Sequence, residues 1–293
     1  MSDTAAILHR KIISAGELES VVRTMKAIAA SSLGQYENSV RSLESYYAAV
    51  QLGLVACLRH HESFATTGRA QKKTGEIGAI VFGSDQGLVG QFNDVMAEFV
   101  IHTLEAMPGK KTVWTVGERI QSRLADTLFP SEKRFVLPNS IGAVTPLVGQ
   151  VLTEIEASRE NRENAQIYLF HNRPQSGTIF TPICQRLLPL DDVWWRDLTT
   201  TRWPTRNLTE VMGGNETTLL AFIHEYLFVS LFRACAESLA SENASRLAAM
   251  QRAEKNINEL LEELNRKFFR LRQSDIDEEL FDLVAGFEAM TEH

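Results

Sequence analysis

Every proline of the chain lies between Pro108 and Pro204, and neither the first hundred residues nor those after Pro204 contain one. Proline removes a backbone donor and its ring collides with the preceding turn, so proline-free flanks with apolar residues every three or four positions can run as unbroken helices. All eight prolines fall in the middle segment, which must therefore turn often. Two long terminal helices around a segment of shorter elements is the expected plan.

The flanks carry the pattern such helices need. Leu18, Val22, Met25 and Ala29 step by four, three and four, and after a one-residue slip Leu33, Tyr36, Val40, Leu43, Tyr47, Val50 and Leu54 resume the alternation. This is a heptad seam, with the slip read as a local stutter. Gly16, Gly34 and Gly53 each weaken a helix by roughly 0.8–1.0 kcal/mol relative to Ala, so packing must hold the segment together. At the other end Asn215 is a plausible cap after Gly213 and Gly214, with Glu216 in the first turn, where a negative charge suits the helix dipole. Met250, Ile257, Leu264 and Leu271 repeat at heptad spacing, Leu261 and Phe268 fill the alternate seam positions, Glu254 interrupts the seam once, and Gly286 is the first break. At 1.5 Å per residue, helices over Ala6–Cys57 and Asn215–Ala285 would measure about 75 Å and about 105 Å. If they pair antiparallel, the second should overhang the first.

Between the flanks the rhythm changes. Short apolar or β-branched runs at Ile77–Phe82, Thr112–Val116, Gln166–His171 and Ile179–Leu188 read as strands, separated by helical stretches at Asp94–Met107, Glu118–Leu128 and Val144–Arg159. Strands alternating with helices imply a largely parallel sheet covered on both faces. The fold class is α/β with a long antiparallel coiled coil: terminal helices over residues 1–60 and 208–293, and a doubly wound, Rossmann-like domain over 74–204.

Composition narrows the function. A net charge of −7 lacks the cationic surplus that phosphate neutralisation requires, which argues against a nucleic-acid partner. Cys57, Cys184 and Cys235 form no CxxC pair and suggest buried thiols in a reducing compartment. The first residues lack a cationic segment followed by an apolar run, and no stretch approaches the roughly 20 apolar residues of a membrane span, so attachment to a membrane is expected only through other proteins.

Candidate chemistry is thin. The glycine-rich loop Gly83-Ser84-Asp85-Gln86-Gly87-Leu88-Val89-Gly90 follows a strand and precedes a helix, where phosphates bind in nucleotide folds, but it has neither the Walker Lys nor GxGxxG spacing, and a tight structural turn is the preferred reading. His60 and His61 are adjacent rather than a helical turn apart, and His224-Glu225 lacks the second His of a zinc-protease helix. Ser84 stands in no GxSxG elbow, and Asp191 and Asp192 before Trp194 and Trp195 read as packing at a domain edge. No catalytic set, cofactor site or metal site emerges. An α/β enzyme with a coiled-coil stalk and a free-standing coiled-coil scaffold remain the alternatives from other classes.

Three motifs carry a family resemblance. Thr24-Met25-Lys26-Ala27-Ile28-Ala29-Ala30-Ser31 resembles the amino-terminal signature of the γ subunit of F-type ATP synthases. Ser230-Leu231-Phe232-Arg233-Ala234, Glu237-Ser238 and Ser241-Glu242-Asn243-Ala244-Ser245-Arg246-Leu247-Ala248-Ala249-Met250 look like that family's carboxy-terminal helix, which continues with Arg272-Gln273 and Leu283-Val284-Ala285-Gly286. The loop from Ser84 to Gly90 is similar to the family's central one. The likeness covers nearly the whole chain and is weakest from Pro130 to Pro204.

The resemblance implies a shaft. Its two terminal helices would stand inside a ring of alternating α and β subunits, with the ε subunit beside them and the α/β domain resting on the membrane c-ring. Rotation driven by ion flow would change each β subunit's affinity for nucleotide in turn, and catalysis would belong to β. It would lie peripherally on the cytoplasmic face of a bacterial inner membrane. Met25 resembles the methionine that faces β and on which coupling depends, Lys26 would be a polar contact beside it, Arg246 sits where an arginine is linked to that region, and Arg272 and Gln273 resemble a polar pair that meets the ring. Ser32, Gln86 and Asp277 depart from the common pattern and suggest a divergent branch.

Overall fold

A computed structural model of the chain describes residues 5–59, 75–160, 166–175, 178–190, 194, 198, 200, 203–205, 210–211 and 215–291. Two compact units emerge, one from Met1–Ala29 with Leu247–His293 and one from Ala30–Arg246. Helices α1 (Ala5–Arg59) and α5 (Asn215–Thr291) contribute to both. The α5 helix passes through Gly286 without ending there.

The first unit is an antiparallel helix pair. Leu8, Ala15 and Leu264 are buried together, with Ile12, Leu261, Phe268 and Leu271 against them, and the His9 ring lies 5.8 Å from that of Phe268. The start of α1 thus meets the far part of α5. The seam differs from the sequence reading in one respect that matters. Leu18 is 58% exposed and lies off the seam. Shielded positions on α1 instead run Leu8, Ile12, Ala15, Glu19, Val22, Lys26 and Ala29, and the same alternation of four and three continues through Leu33, Tyr36 and Val40 to Cys57. The expected stutter is absent: the seam is continuous because Lys26, a charged residue, occupies the position that hydrophobicity assigned to Met25. Beyond Leu271, residues 272–287 of α5 are exposed, Leu280, Phe281 and Leu283 at 58–72%. The predicted overhang is present.

In the second unit β1 (Ile77–Phe82), β2 (Lys111–Val116), β3 (Ser131–Phe135), β4 (Gln166–Gln175) and β5 (Thr178–Leu188) form one sheet in the order β3-β2-β1-β4-β5. All neighbours are parallel except β4 and β5. The two residues between β4 and β5 allow a hairpin but not a crossover, which makes that pair antiparallel. Strand alternation sends Ile80, Phe82, Trp114, Val116, Ile167 and Leu169 to one face, against α4 (Val144–Glu160), α1 and α5. Ile77, Ala79, Val81, Val113 and Phe170 turn to the other, against α2 (Phe92–Glu105) and α3 (Glu118–Leu124). The sheet is doubly wound, as the alternation of elements implied.

Strand β3 escaped the sequence reading. It is an edge strand whose middle residues Glu132, Lys133 and Arg134 are exposed, so only Phe135 at its end is buried and no apolar run marks it. By contrast, the stretch of α5 from Tyr226 to Ser245 is buried on nearly every side. That helix contains an 18-residue window long and apolar enough to cross a membrane, against the expectation that no stretch comes near one, and half of the window is buried inside the protein. Its composition is that of a core helix.

Glycines in α1 give the packing a direct test. A Cβ on Gly53 would stand 2.2 Å from the Phe222 ring, whereas one on Gly16 or Gly34 meets nothing within 4 Å. Gly16→Ala and Gly34→Ala should each stabilise the isolated chain by up to about 1 kcal/mol through helix propensity. Gly53→Ala should destabilise it by about 1–2 kcal/mol, since overpacking outweighs the same gain. Urea unfolding of the three variants reads the difference in sign.

Candidate functional site

The residues singled out by sequence fall into separate places. In the first unit the Lys26 ammonium donates to Glu254 Oε2 at 2.5 Å across the helix pair, and Arg23 Nε stands 3.8 Å from Glu254 Oε1. Arg23 also pairs with Glu19 one turn earlier. The Lys26 hydrogen bond, chiefly, holds the Glu254 carboxyl below its ordinary range. Met25, next to Lys26, is half-buried, while Arg272 and Gln273 stand exposed on the overhang just past Leu271. Lys26 is thus turned inward, and Met25, Arg272 and Gln273 leave surface for a partner.

Arg246 belongs to the second unit, where it too is turned inward. Its Nη2 donates to Glu242 Oε1 at 2.6 Å and its Nη1 reaches Asn243 Oδ1 at 3.5 Å, with only 12% of the side chain exposed. Burial pushes Glu242 up to about 6 despite the arginine. Tyr36 shares this neighbourhood, its hydroxyl pushed up by burial and by the Glu242 charge.

The glycine-rich loop spends its polar groups on its own fold. Ser84 is fully buried: its N–H donates to Asn93 Oδ1 at 3.0 Å, its hydroxyl donates to the Gln86 carbonyl, and Asn93 Nδ2 donates back to that hydroxyl at 2.8 Å. Asp85 accepts from the Glu118 N–H at 2.8 Å, capping α3, and from the Leu137 N–H at 3.2 Å. Gly117, just before α3, has φ +115°, and a Cβ there would meet the Ser84 carbonyl at 2.9 Å. The carboxylate of Asp85 is thus spent on backbone N–H groups of Glu118 and Leu137. Elsewhere Trp194 donates its indole N–H to the Tyr226 hydroxyl at 2.9 Å and packs edge-on against that ring, while His60, His61, Asp191, Asp192 and Trp195 lie outside the described residues. Glu225, beside His224, accepts from the Tyr46 hydroxyl at 2.5 Å.

One site escaped the sequence reading altogether. Glu237, only 2% exposed, accepts from His171 Nε2 at 2.7 Å, Arg173 Nε at 2.8 Å and Arg233 Nε at 2.8 Å. Burial alone would raise this carboxyl, but the three donors outweigh it and hold it at about 2. His171 is pushed down, first by burial, because its ring is sealed in the core beside two arginines. A proton on Nε2 facing the carboxylate is the tautomer this geometry assigns. A cavity of about 20 Å³ lined by Tyr47, His171, Ser230 and Glu237 adjoins the cluster, room for roughly one water and far below a substrate pocket. Among the described residues, no group of three His, Cys, Asp or Glu side chains could hold a metal.

Residues 4–290 match the family model of ATP synthase. The chain belongs to the ATP synthase family. It is 22% identical to the ATP synthase gamma chain of Polynucleobacter asymbioticus, covering 97% of this chain and 98% of that one. It is 25% identical to the gamma chain of Glaesserella parasuis, at the same coverage. Among solved structures, it resembles the central stalk and c-ring of the Tetrahymena thermophila mitochondrial ATP synthase, with a TM-score of 0.57, 21% identity, and coverage of 80% of this chain and 99% of that one. It also resembles the Euglena gracilis ATP synthase rotor, with a TM-score of 0.59, 14% identity, and coverage of 93% and 98%. These two likenesses bear on the fold.

Within the ATP synthase family the chain is a gamma subunit. Nothing local in the sequence announces the core network around Glu237. Glu237 lies on α5 and its partners His171 and Arg173 on β4, so only the fold unites them.

Two predictions follow from these geometries. Asp85→Ala should cost about 1–2 kcal/mol in urea unfolding, the worth of a cap, and Asp85→Asn less. The buried titrating groups have opposite signs. His171 has a folded pKa below its unfolded value, so its contribution to stability is lost as pH falls through 6.5 toward the folded pKa. Glu242, raised to about 6 when folded, is favoured by protonation, so its contribution grows as pH falls from 6 toward 4.5. Relative to wild type, His171→Gln should gain stability between pH 7 and 5, and Glu242→Gln should lose it, measured by urea unfolding across that range.

Proposed function

We propose that this chain is the rotating central shaft of an F-type ATP synthase. Residues 1–60 and 208–293 form the shaft inside a ring of α and β subunits, and residues 74–204 form the foot that meets the ε subunit and the membrane c-ring. Ion flow through the c-ring turns the foot, and each β subunit meets a changing face of the shaft. The complex stands on the cytoplasmic face of a bacterial inner membrane, with this chain peripheral to the bilayer. The observation that carries the reading is the family match over residues 4–290, joined to a helix that extends past the seam with Leu280, Phe281 and Leu283 exposed.

Met25, Lys26, Arg246, Arg272 and Gln273 serve coupling in two ways. Met25, Arg272 and Gln273 have exposed or half-exposed side chains and touch the ring as it is passed. Lys26 and Arg246 act from within, each bound to a glutamate of α5, Glu254 and Glu242. Their work is to hold the helix that carries the contacting residues.

A covalent brake tests rotation. With Cys57, Cys184 and Cys235 replaced, Arg272→Cys is paired with a cysteine on the β-subunit segment facing it. Oxidation should arrest sustained ATP turnover and reduction should restore it. Position 272 suits the test because it adjoins Leu271, the last residue packed in the seam, whereas residues further out could swivel if the end of the helix unwinds. Full turnover with the crosslink complete would make the chain a static stalk.

A further inference from the structure

Two buried polar atoms beside Glu237 are unspent. His171 Nδ1 and Ser230 Oγ have no hydrogen-bond partner among the described residues, and the two residues are 1% and 4% exposed. The other ring nitrogen, Nε2, donates to the Glu237 carboxylate, and burial together with the charges of Arg173 and Arg233 pushes the His171 pKa down, so the ring is neutral. Its unspent Nδ1 is therefore a lone pair, an acceptor in want of a donor. Ser230 lies in the interior of α5, where a serine hydroxyl can turn back to the carbonyl four residues earlier, as Ser241 does to that of Glu237 at 2.9 Å. Ser230 makes no such bond. Both residues line one cavity of about 20 Å³, with Tyr47, Gln185, Arg173 and Arg233 around it.

We propose that this cavity is a binding site for one water molecule, which donates to His171 Nδ1 and bonds to the Ser230 hydroxyl. Other classes of occupant fail on charge, chemistry or size. A cation is repelled, because Arg173 and Arg233 face a single carboxylate and the cluster is positive. An anion is drawn by that charge but has no proton for Nδ1, and it would set its own lone pairs against that nitrogen. An organic group is too large, whereas about 20 Å³ exceeds the roughly 10–15 Å³ that one water needs. Water both donates and accepts, and it fits. It gives His171 a hydrogen bond on each ring nitrogen, which fixes the ring plane and the Nε2–H tautomer that Glu237 requires. It also joins β4 to α5 at a second point, since His171 stands on the strand and Ser230 on the helix. The site stands on the second unit alone and is independent of the shaft reading.

Electron cryomicroscopy of the complex that contains this chain, at a resolution where other buried waters of the same subunit are visible, reads the site. One compact density should stand within about 3.2 Å of both His171 Nδ1 and Ser230 Oγ. Ser230→Ala removes one of its two partners and adds no bulk, so in that variant the density should be lost or fall to a small fraction of its wild-type height, with His171 still bonded to Glu237. Should the variant not assemble, the wild-type map decides by itself. An empty cavity in wild type, a density within reach of only one of the two atoms, or one too large for a single water would overturn the proposal. A density of undiminished height in Ser230→Ala would overturn it as well, since the hydroxyl would then not be holding the water.

Discussion

The second unit depends on one buried carboxylate. Glu237 stands on the part of α5 that is enclosed nearly all round, and a charge in such a place persists only if its lone pairs are taken up. His171 and Arg173 from β4 and Arg233 from the same helix take them. Breaking a buried ion pair by removing one partner costs about 3–5 kcal/mol, because the remaining charges are stranded in the core. The sheet is thereby tied to the helix by directional bonds as well as by apolar packing.

Much of this was legible in the sequence. Missing prolines and repeating apolar residues marked α1 and α5 to within a few residues, and buried strands β1, β2 and β4 announced themselves by β-branched runs. The doubly wound arrangement followed from the order of elements. Hydrophobicity misled where a charged residue does an apolar residue's job. Lys26 takes a seam position because its ammonium finds Glu254 on the other helix, so Met25 looked like the seam residue and a stutter looked necessary. Glu254, read as an interruption, is the other half of the same feature. Edge strand β3 has no apolar face to display, and the Glu237 cluster joins residues from β4 and α5 that are far apart in the chain.

The candidate coupling residues divide along the same line. Local motif likeness found Met25, Lys26, Arg246, Arg272 and Gln273, but it could not say which point outward. Lys26 and Arg246 are held by glutamates inside their units, whereas Arg272 and Gln273 are exposed. The glycine-rich loop shows the opposite case. Its position after a strand suggested phosphate chemistry, and its side chains reveal a closed knot in which Asp85 caps α3 and Asn93 fills the interior. What distinguishes this chain is a continuous seam on α1 with one charged pair across it, one buried core anchor and an exposed helix end.

Observation of the chain in motion addresses the central claim most directly. The ring of α and β subunits would be fixed to a surface, a probe attached to an exposed residue of the α/β unit such as Leu128, and ATP supplied while the probe is followed at the single-molecule level. The account predicts stepwise rotation in one direction that stops when ATP is withdrawn. ATP hydrolysis at full rate with the probe stationary would contradict it.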